Sequence, residues 1–322
     1  MKSETPFTIT ASDLDSPMRL DAYAALALEG ISRSQFTQNA AGIRLDGKPA
    51  KPSAAVKNGQ VISFVLHRDS FEGVIPQPMD LEVLYEDDDV LVINKPRGLV
   101  VHPGVGNPDG TLVNALAARY GESFIDRFES DGFPFPRPGI VHRLDKETTG
   151  LMVIALNESA HRDLSQQFSE RETSKLYYAV VQGRLNPPKG ELKTLHLRDP
   201  NNRKLFMAKS EASYVTLGGH IQVKGVDEMS RIAWSEYQTV KEAADCSLVK
   251  VKIHTGRTHQ IRVHMKFLGH PIIGDELYNS SKADCPMLLQ AYHLEFIHPA
   301  TKTCMVFEAP MDKEIEAYLA SH

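Results

Sequence analysis

The chain predicts an α+β fold, a mixed, largely antiparallel sheet with peripheral helices preceded by a small α+β module. Three observations lead there. Apolar runs of strand length recur beyond residue 80, helical stripes fall between them without strict βαβ alternation, and residues 69–80, with Pro76 and Pro78, read as a linker. At 322 residues the chain exceeds a usual single domain. The division expected is therefore a first domain over 15–68, the linker 69–80 and a second domain over 81–322.

In the first domain, Leu20, Tyr23 and Leu26 or Leu28 form a helical stripe that Gly30 ends, and Ser32 with Gln35 makes a capping box for a second short helix. The period then changes. Ile43 and Leu45 alternate with Arg44 and Asp46, Asp46-Gly47 is a hairpin signal, and Val61, Ile62, Phe64 and Val65 form the returning strand. Arg19, Arg33, Arg44, Lys48, Lys51 and Lys57 are scattered through this unit.

In the second domain, strands are expected at 81–85, 90–94, 151–154, 175–182, 232–240, 247–254, 288–296 and 305–309. Helices are expected at 111–120, 157–170, 258–268 and 313–320. Residues 199–202 mark a loop, and 210–230 read as an excursion from the core.

Composition narrows the function classes. A net charge of −5 argues against a generally basic coat, so any nucleic-acid site must be local. Cys246, Cys285 and Cys304 form no CxxC pair, which excludes a cysteine-rich zinc module and makes a reducing cytoplasm the expected location. The opening MKSETPFTIT has no apolar signal-peptide core, and no run approaches the roughly 20 apolar residues of a membrane span.

Two segments concentrate chemistry. In GIVHRLDKETTG, residues 139–150, Asp145 stands among His142, Arg143 and Lys146, with Pro134, Pro136 and Pro138 before it and an apolar strand after it. A carboxylate fixed among cations is a candidate nucleophile. From Cys246 to Gly274 there is no acid, yet Lys250, Lys252, Arg257, Arg262, Lys266 and four histidines are present. With Thr258 as cap and Gly269 as terminator, Ile261, Met265 and Leu268 share one helix face and His259, Arg262 and Lys266 another, suited to an anion. His254, His259, His264 and His270 are spaced by five, five and six residues, which is not a metal-ligand pattern, so no metal is expected. Neither G-x-G-x-x-G nor G-x-S-x-G occurs, which argues against a nucleotide cofactor and a serine elbow.

HRLDKETTG, residues 142–150, resembles the signature of the RluA/RluD family of RNA pseudouridine synthases. INKPRGLVVHPG at 93–104, KLYYAVVQG at 175–183 and TGRTHQIRVHMKFLGHPIIGD at 255–275 match the family in order, and 15–68, with RLDAYAA at 19–25 and SRSQ at 32–35, resembles its S-four-like RNA-binding domain. The resemblance implies a catalytic domain over 81–322 that isomerises uridines without a cofactor, in large-subunit ribosomal RNA or else transfer RNA, and a monomer is the default expectation. It implies Asp145 as nucleophile, Arg262 as its cation and Tyr177 as the active-site tyrosine, with His142, Arg143, Lys175, His259, Lys266, Arg19 and Arg33 contacting RNA. Tyr178, on the opposite strand face, is the better core candidate. Glu147, Thr149, Gln290 and Ser235 stand where the family commonly has Asp, Ser, His and Thr. A non-catalytic ribosome-assembly factor and a glycosidic hydrolase are the competing readings; the joint presence of Asp145, Tyr177 and Arg262 argues against the first, and the lack of a supported second carboxylate against the other.

Overall fold

The computed structural model describes residues 3–12, 14, 16–28, 33, 36–37, 40–68, 74–104, 106–121, 124, 128, 138–202, 205–210, 214–217, 220–223, 231–281 and 284–322. These divide into two compact units, Met1–Pro76 with Tyr120–Pro138, and Gln77–Arg119 with Gly139–His322.

The first unit carries β1 (Ser3–Thr10), β2 (Met18–Arg19), α1 (Leu20–Ala27), β3 (Ala40–Leu45), β4 (Lys48–Pro49), β5 (Ala55–Val56) and β6 (Val61–Arg68). Its sheet order is β1-β6-β3-β4, and β2 pairs with β5. Asp46 and Gly47 both take positive φ, 50° and 76°, as a two-residue hairpin turn requires, and the Asp46 carboxylate accepts from the Val61 amide. The unit starts earlier than residue 15, because β1 runs antiparallel to β6 along its whole length and stacks Phe7 on Phe64. Polar Thr and Ser residues hide that strand in the sequence. Leu20, Tyr23 and Ala24 are the side chains of α1 that join Phe36, Val56, Ile62 and Phe64 in the core, whereas Leu26 is 67% exposed and does not belong to the buried stripe. The capping box at Ser32 and Gln35, and Gly30, lie outside the described residues.

The second unit holds β7 (Glu82–Glu86), β8 (Val90–Lys95), α2 (Leu112–Tyr120), β9 (Thr149–Ala155), α3 (Glu158–Glu170), β10 (Ser174–Gln182), β11 (Lys189–Arg198), β12 (Phe206–Ser210), β13 (Tyr214–Leu217), β14 (His220–Val223), β15 (Arg231–Glu242), β16 (Cys246–Ile253), α4 (Gln260–Phe267), β17 (Leu289–Ile297), β18 (Cys304–Glu308) and α5 (Lys313–Ser321). Among the described residues, ten strands form one mixed sheet in the order β12-β11-β15-β16-β10-β17-β9-β8-β7, with β18 also on β17. Every pairing is antiparallel except β9 with β17. The expected helices are present, with Asn157 capping α3 through the Ala160 amide and Asp312 capping α5 through the Glu314 amide. β11 and β12 were not expected, since Lys and Glu interrupt the apolar pattern of β11 and two of its inward positions are Thr194 and His196. The 210–230 excursion contains the separate β13–β14 hairpin.

One core packs Val90, Val92, Leu151 and Val153 against Ala160 and Leu164 of α3, and another packs Val180, Leu248 and Leu288 against Ile315 and Leu319 of α5. Tyr178 is only half-buried at the edge of the second core, stacked on Tyr292, whereas Tyr177 is the buried one. The parallel seam is what places the loop before β9. Gly150 lies opposite Ala291, at φ 114°, and a Cβ there would overlap the Ala291 carbonyl, so only glycine fits. Ala291 in turn faces Tyr177, beside a register shift that re-aims the strand.

The β7–β8 turn carries an acid-sensitive clasp. Asp87 accepts from the Tyr85 hydroxyl, the Asp89 and Val90 amides and His298 Nε2, at 2.7–2.9 Å. Burial opposes its charge, but these donors hold the carboxyl at about 2, below its ordinary 3.8. Because the folded value is the lower one, the stabilisation is present above pH 3.8 and lost as pH falls toward 2. Urea unfolding across that window should show the Asp87→Ala variant less stable by about 1–2 kcal/mol at neutral pH and with a flattened acid slope; an unchanged slope would contradict this role.

Candidate active site

Asp145 sits in the loop between the Gly139 turn and β9, and that loop is held from three sides. The Lys95 ammonium, wholly buried at the end of β8, donates to the carbonyls of Pro96, Leu99 and Lys146 at 2.8, 3.0 and 3.1 Å. Burial lowers its pKa to about 8, partly offset by Glu147 and Asp145. The Gly98 amide donates to the Lys146 carbonyl at 2.9 Å, and Arg97 Nη1 to the Glu147 carbonyl at 3.0 Å. Arg97 also reaches the Met287 carbonyl and, at 3.0 Å, the carboxylate of Asp312. Asp312 Oδ2 accepts from Thr149 Oγ1 at 2.8 Å, so the α5 cap is tied to the base of the same loop. The INKPRG segment is thus a brace for the Asp145 backbone.

The carboxylate itself meets α4. Arg262 Nη1 donates to Asp145 Oδ2 at 3.2 Å. The fork of Arg262 points elsewhere: Nε and Nη2 each donate at 2.8 Å to the two oxygens of Asp275. Asp275 has no exposed side-chain surface and also accepts from the Leu277 and Tyr278 amides. Burial disfavours the Arg262 charge, and the two carboxylates outweigh it and raise its pKa. The bidentate partner of Arg262 is therefore Asp275, with Asp145 taking its third bond. The acid-free segment ends at Gly274, and Asp275 is the next residue.

Several expectations for the helix change. Thr258 does not cap it; His259 holds the N-cap position in the left-handed conformation, φ 58°, and the helix begins at Gln260. Gly269, at φ 84°, follows its last turn as expected. Of the face formed by His259, Arg262 and Lys266, Arg262 is buried, His259 half-buried and Lys266 exposed, and His264 on the same helix is buried too. His264 bonds Ser235 Oγ at 3.0 Å and Thr194 Oγ1 at 2.9 Å, and Gln260 bonds Ser235 Oγ at 2.9 Å, which fastens α4 to β15 and β11. The other three histidines are also engaged: His254 with Glu236, His270 with the Gln182 carbonyl, and His259 with Tyr278.

Tyr177, Asp145, Arg262 and His259 line one pocket together with Arg143 and Leu289. Burial, with the Asp145 charge second, pushes the Tyr177 hydroxyl well above its ordinary value, so it stays a neutral phenol. His259 Nε2 lies 3.9 Å from Asp145 Oδ2, and its Nδ1 lies 2.9 Å from the Tyr278 hydroxyl. Tyr278, missed in the sequence, also accepts from the Phe206 amide and lies under Arg262 and Lys266, 5.1 and 5.6 Å from its ring centre. Arg143 is exposed at the pocket and Lys266 is exposed on α4. His142 belongs to the scaffold: its ring stacks on Phe168 and Nε2 accepts from the Val153 amide at 3.0 Å, and burial drives its pKa to about 3. Gln290 is likewise internal, bonded to the Pro310 carbonyl and the Asp312 amide. Lys175, two residues before Tyr177, lies over the Phe168 ring. In the other unit, Arg19 bonds Asp21 through two nitrogens and Arg33 Nε lies 3.6 Å from the same carboxylate, both side chains remaining about half exposed.

The family model for RNA pseudouridylate synthase matches residues 89–267, which span the Asp145 loop, Tyr177 and Arg262. The chain belongs to the RNA pseudouridylate synthase family. It is 39% identical to an RNA pseudouridine synthase of Aquifex aeolicus, with 94% of each chain covered. It is also 39% identical to the ribosomal large subunit pseudouridine synthase D of Neisseria meningitidis, over 92% of this chain and 76% of that one. The fold resembles human RNA pseudouridylate synthase domain containing 4, at TM-score 0.57 and 24% identity, over 74% of this chain and 92% of that one. The protein is thus an RNA pseudouridine synthase, an isomerase acting on RNA. No helix among its described residues is long and apolar enough to cross a membrane.

Asp275→Asn keeps the shape of the clamp and removes its charge, leaving Arg262 underpaired in a buried site. The synthase should lose about 3–5 kcal/mol of stability, measured by urea unfolding; a loss below about 1 kcal/mol would mean that the clamp is replaceable.

Proposed function

We propose that the enzyme isomerises specific uridines of folded large-subunit ribosomal RNA, with Asp145 as nucleophile. The observation that carries this reading is the Asp145 carboxylate bonded to a buried, clamped Arg262 in the pocket that Tyr177 lines. Relatives named as ribosomal large subunit pseudouridine synthase D support the ribosomal substrate over transfer RNA, and a ribosomal substrate supports a cytoplasmic location.

A uridine within a helix cannot reach this pocket, so it must leave the stack. Asp145 attacks the anomeric carbon, and the carbon–nitrogen bond breaks with its electron pair on the uracil ring. The detached base turns, its C5 bonds to the anomeric carbon, and the carboxylate leaves. The proton on C5 is lost and N1 gains one, so the reaction balances without oxidant, water or cofactor. Arg262 supplies a fixed counter-charge as the carboxylate charge is consumed and regenerated. Tyr177, being a neutral phenol, serves by its ring as a wall for the uracil. Arg143 at the mouth is suited to the space that the base vacates, and His259 is poised beside the carboxylate. Lys175 and Lys266 meet the RNA strand. His142 is better read as support for the loop than as an RNA contact, given its bond to Val153.

Residues 15–68 act as an S-four-like RNA-binding domain in this reading, with Arg19 and Arg33 oriented by Asp21 on its surface. Lys48, Lys51 and Lys57 are exposed there. Replacing all three with Gln should reduce the slope of log affinity against log salt by about 0.7–0.9 for each lysine that meets a phosphate; an unaltered slope would take these lysines out of the RNA interface.

For the chemistry, pseudouridines are mapped in total RNA from cells that lack the protein and carry either the wild type or Asp145→Asn. The wild type should restore one or more large-subunit sites and the variant none, with RNA affinity retained. Restoration by Asp145→Asn would refute the nucleophile, and sites confined to transfer RNA would refute the substrate.

A further inference from the structure

A second cavity, of about 470 Å³, lies between the α3–β10 turn and the segment that joins β16 to α4. Its walls include Phe168, Arg171, Lys175, Lys252, His254 and Arg257. Four full cations face it against one carboxylate, Glu172, in a chain whose net charge is −5. His254 is already taken by Glu236 at 2.6 Å.

Lys175 is the informative residue. Its ammonium packs 4.7 Å from the centre of the Phe168 ring, and burial lowers its pKa to about 8, with no carboxylate among the described residues offsetting the cost. Lys95, wholly buried, differs: three carbonyls satisfy it. A desolvated cation without a counter-ion is costly, and here it borders an open cavity that an anion can enter.

The position identifies the anion. The cavity shares Ile253, Gly256 and Arg257 with the pocket of Asp145, so the two are adjacent. Lys175 and Tyr177 are two residues apart on β10, on one face of the strand and about 7 Å apart. The anionic group of RNA is its phosphodiester. We propose that this cavity holds the phosphodiester adjoining the flipped uridine, with Lys175 as its counter-ion and Arg171, Lys252 and Arg257 around it. The proposal rests on the reading of the Asp145–Tyr177 pocket as the uridine site. It assigns to this cavity the register of the strand, fixing which phosphate precedes or follows the reacting nucleotide.

The test uses a short RNA with one modifiable uridine, made in three forms: all phosphates native, or the phosphate on the 5′ or the 3′ side of that uridine replaced by an uncharged methylphosphonate. Binding is measured for the full-length wild type, Lys175→Gln and Lys175→Arg. One methylphosphonate, and not the other, should weaken wild-type binding roughly tenfold. Lys175→Gln should weaken binding to the native RNA by a similar factor and lose little more on the methylphosphonate RNA, while Lys175→Arg should keep most of the affinity. Equal, negligible effects of both methylphosphonates would overturn the proposal without any change to the protein, and so would fully additive losses. Turnover of the native RNA that survives in Asp145→Asn would instead overturn the pocket reading beneath it.

Discussion

Arg262 forked on Asp275 is the constraint on which the site depends. Two parallel bonds at 2.8 Å fix the guanidinium plane, and the third direction of the same group is then aimed at Asp145. An arginine held only by Asp145 would follow that carboxylate when it moved. Held instead by the buried Asp275, it stays put and offers a preformed charge. The cost of burying three charged groups is offset by two amide bonds to Asp275 and by the Tyr278 ring beneath the guanidinium.

The other half of the constraint is backbone. Asp145 belongs to a loop, yet Lys95, Arg97 and Gly98 hold its next two carbonyls, and Gly150 fits it onto β17 where any Cβ would collide. The sheet then brings the remaining partner: Ala291 lies between Gly150 and Tyr177 in a continuous row of strand partners. Asp145, Tyr177 and Arg262 are thus carried by three separate pieces of the fold whose relative positions are set by one parallel pairing and one buried helix.

Much of this was legible in the sequence, and the failures have physical causes. Strands such as Val90–Lys95 and helices such as Glu158–Glu170 carry strong apolar periods and clear caps, so their places followed from local chemistry. Lys189–Arg198 did not, because buried Thr194 and the Nε2 of His196 bond partners on α4 and its approach that no local pattern announces. Charge was misread for the same reason. Arg262 looks like part of an anion-binding face until Asp275 is brought to it by the fold, and nothing local in the sequence announces that Val153 donates to His142. The meeting of Asp145 with Arg262 came from family resemblance, since nothing local links residues 117 apart.

The central claim is that a clamped Arg262 presents Asp145 to the anomeric carbon of a flipped uridine. A crystal structure of the enzyme with an RNA carrying an unreactive uridine analogue tests it most directly. The account predicts the Asp145 carboxylate about 3–3.5 Å from the anomeric carbon, the base against Tyr177, and Arg262 still forked on Asp275. A uridine bound in that pocket with Arg262 swung away from Asp275, or with the carboxylate turned from the anomeric carbon, would contradict it.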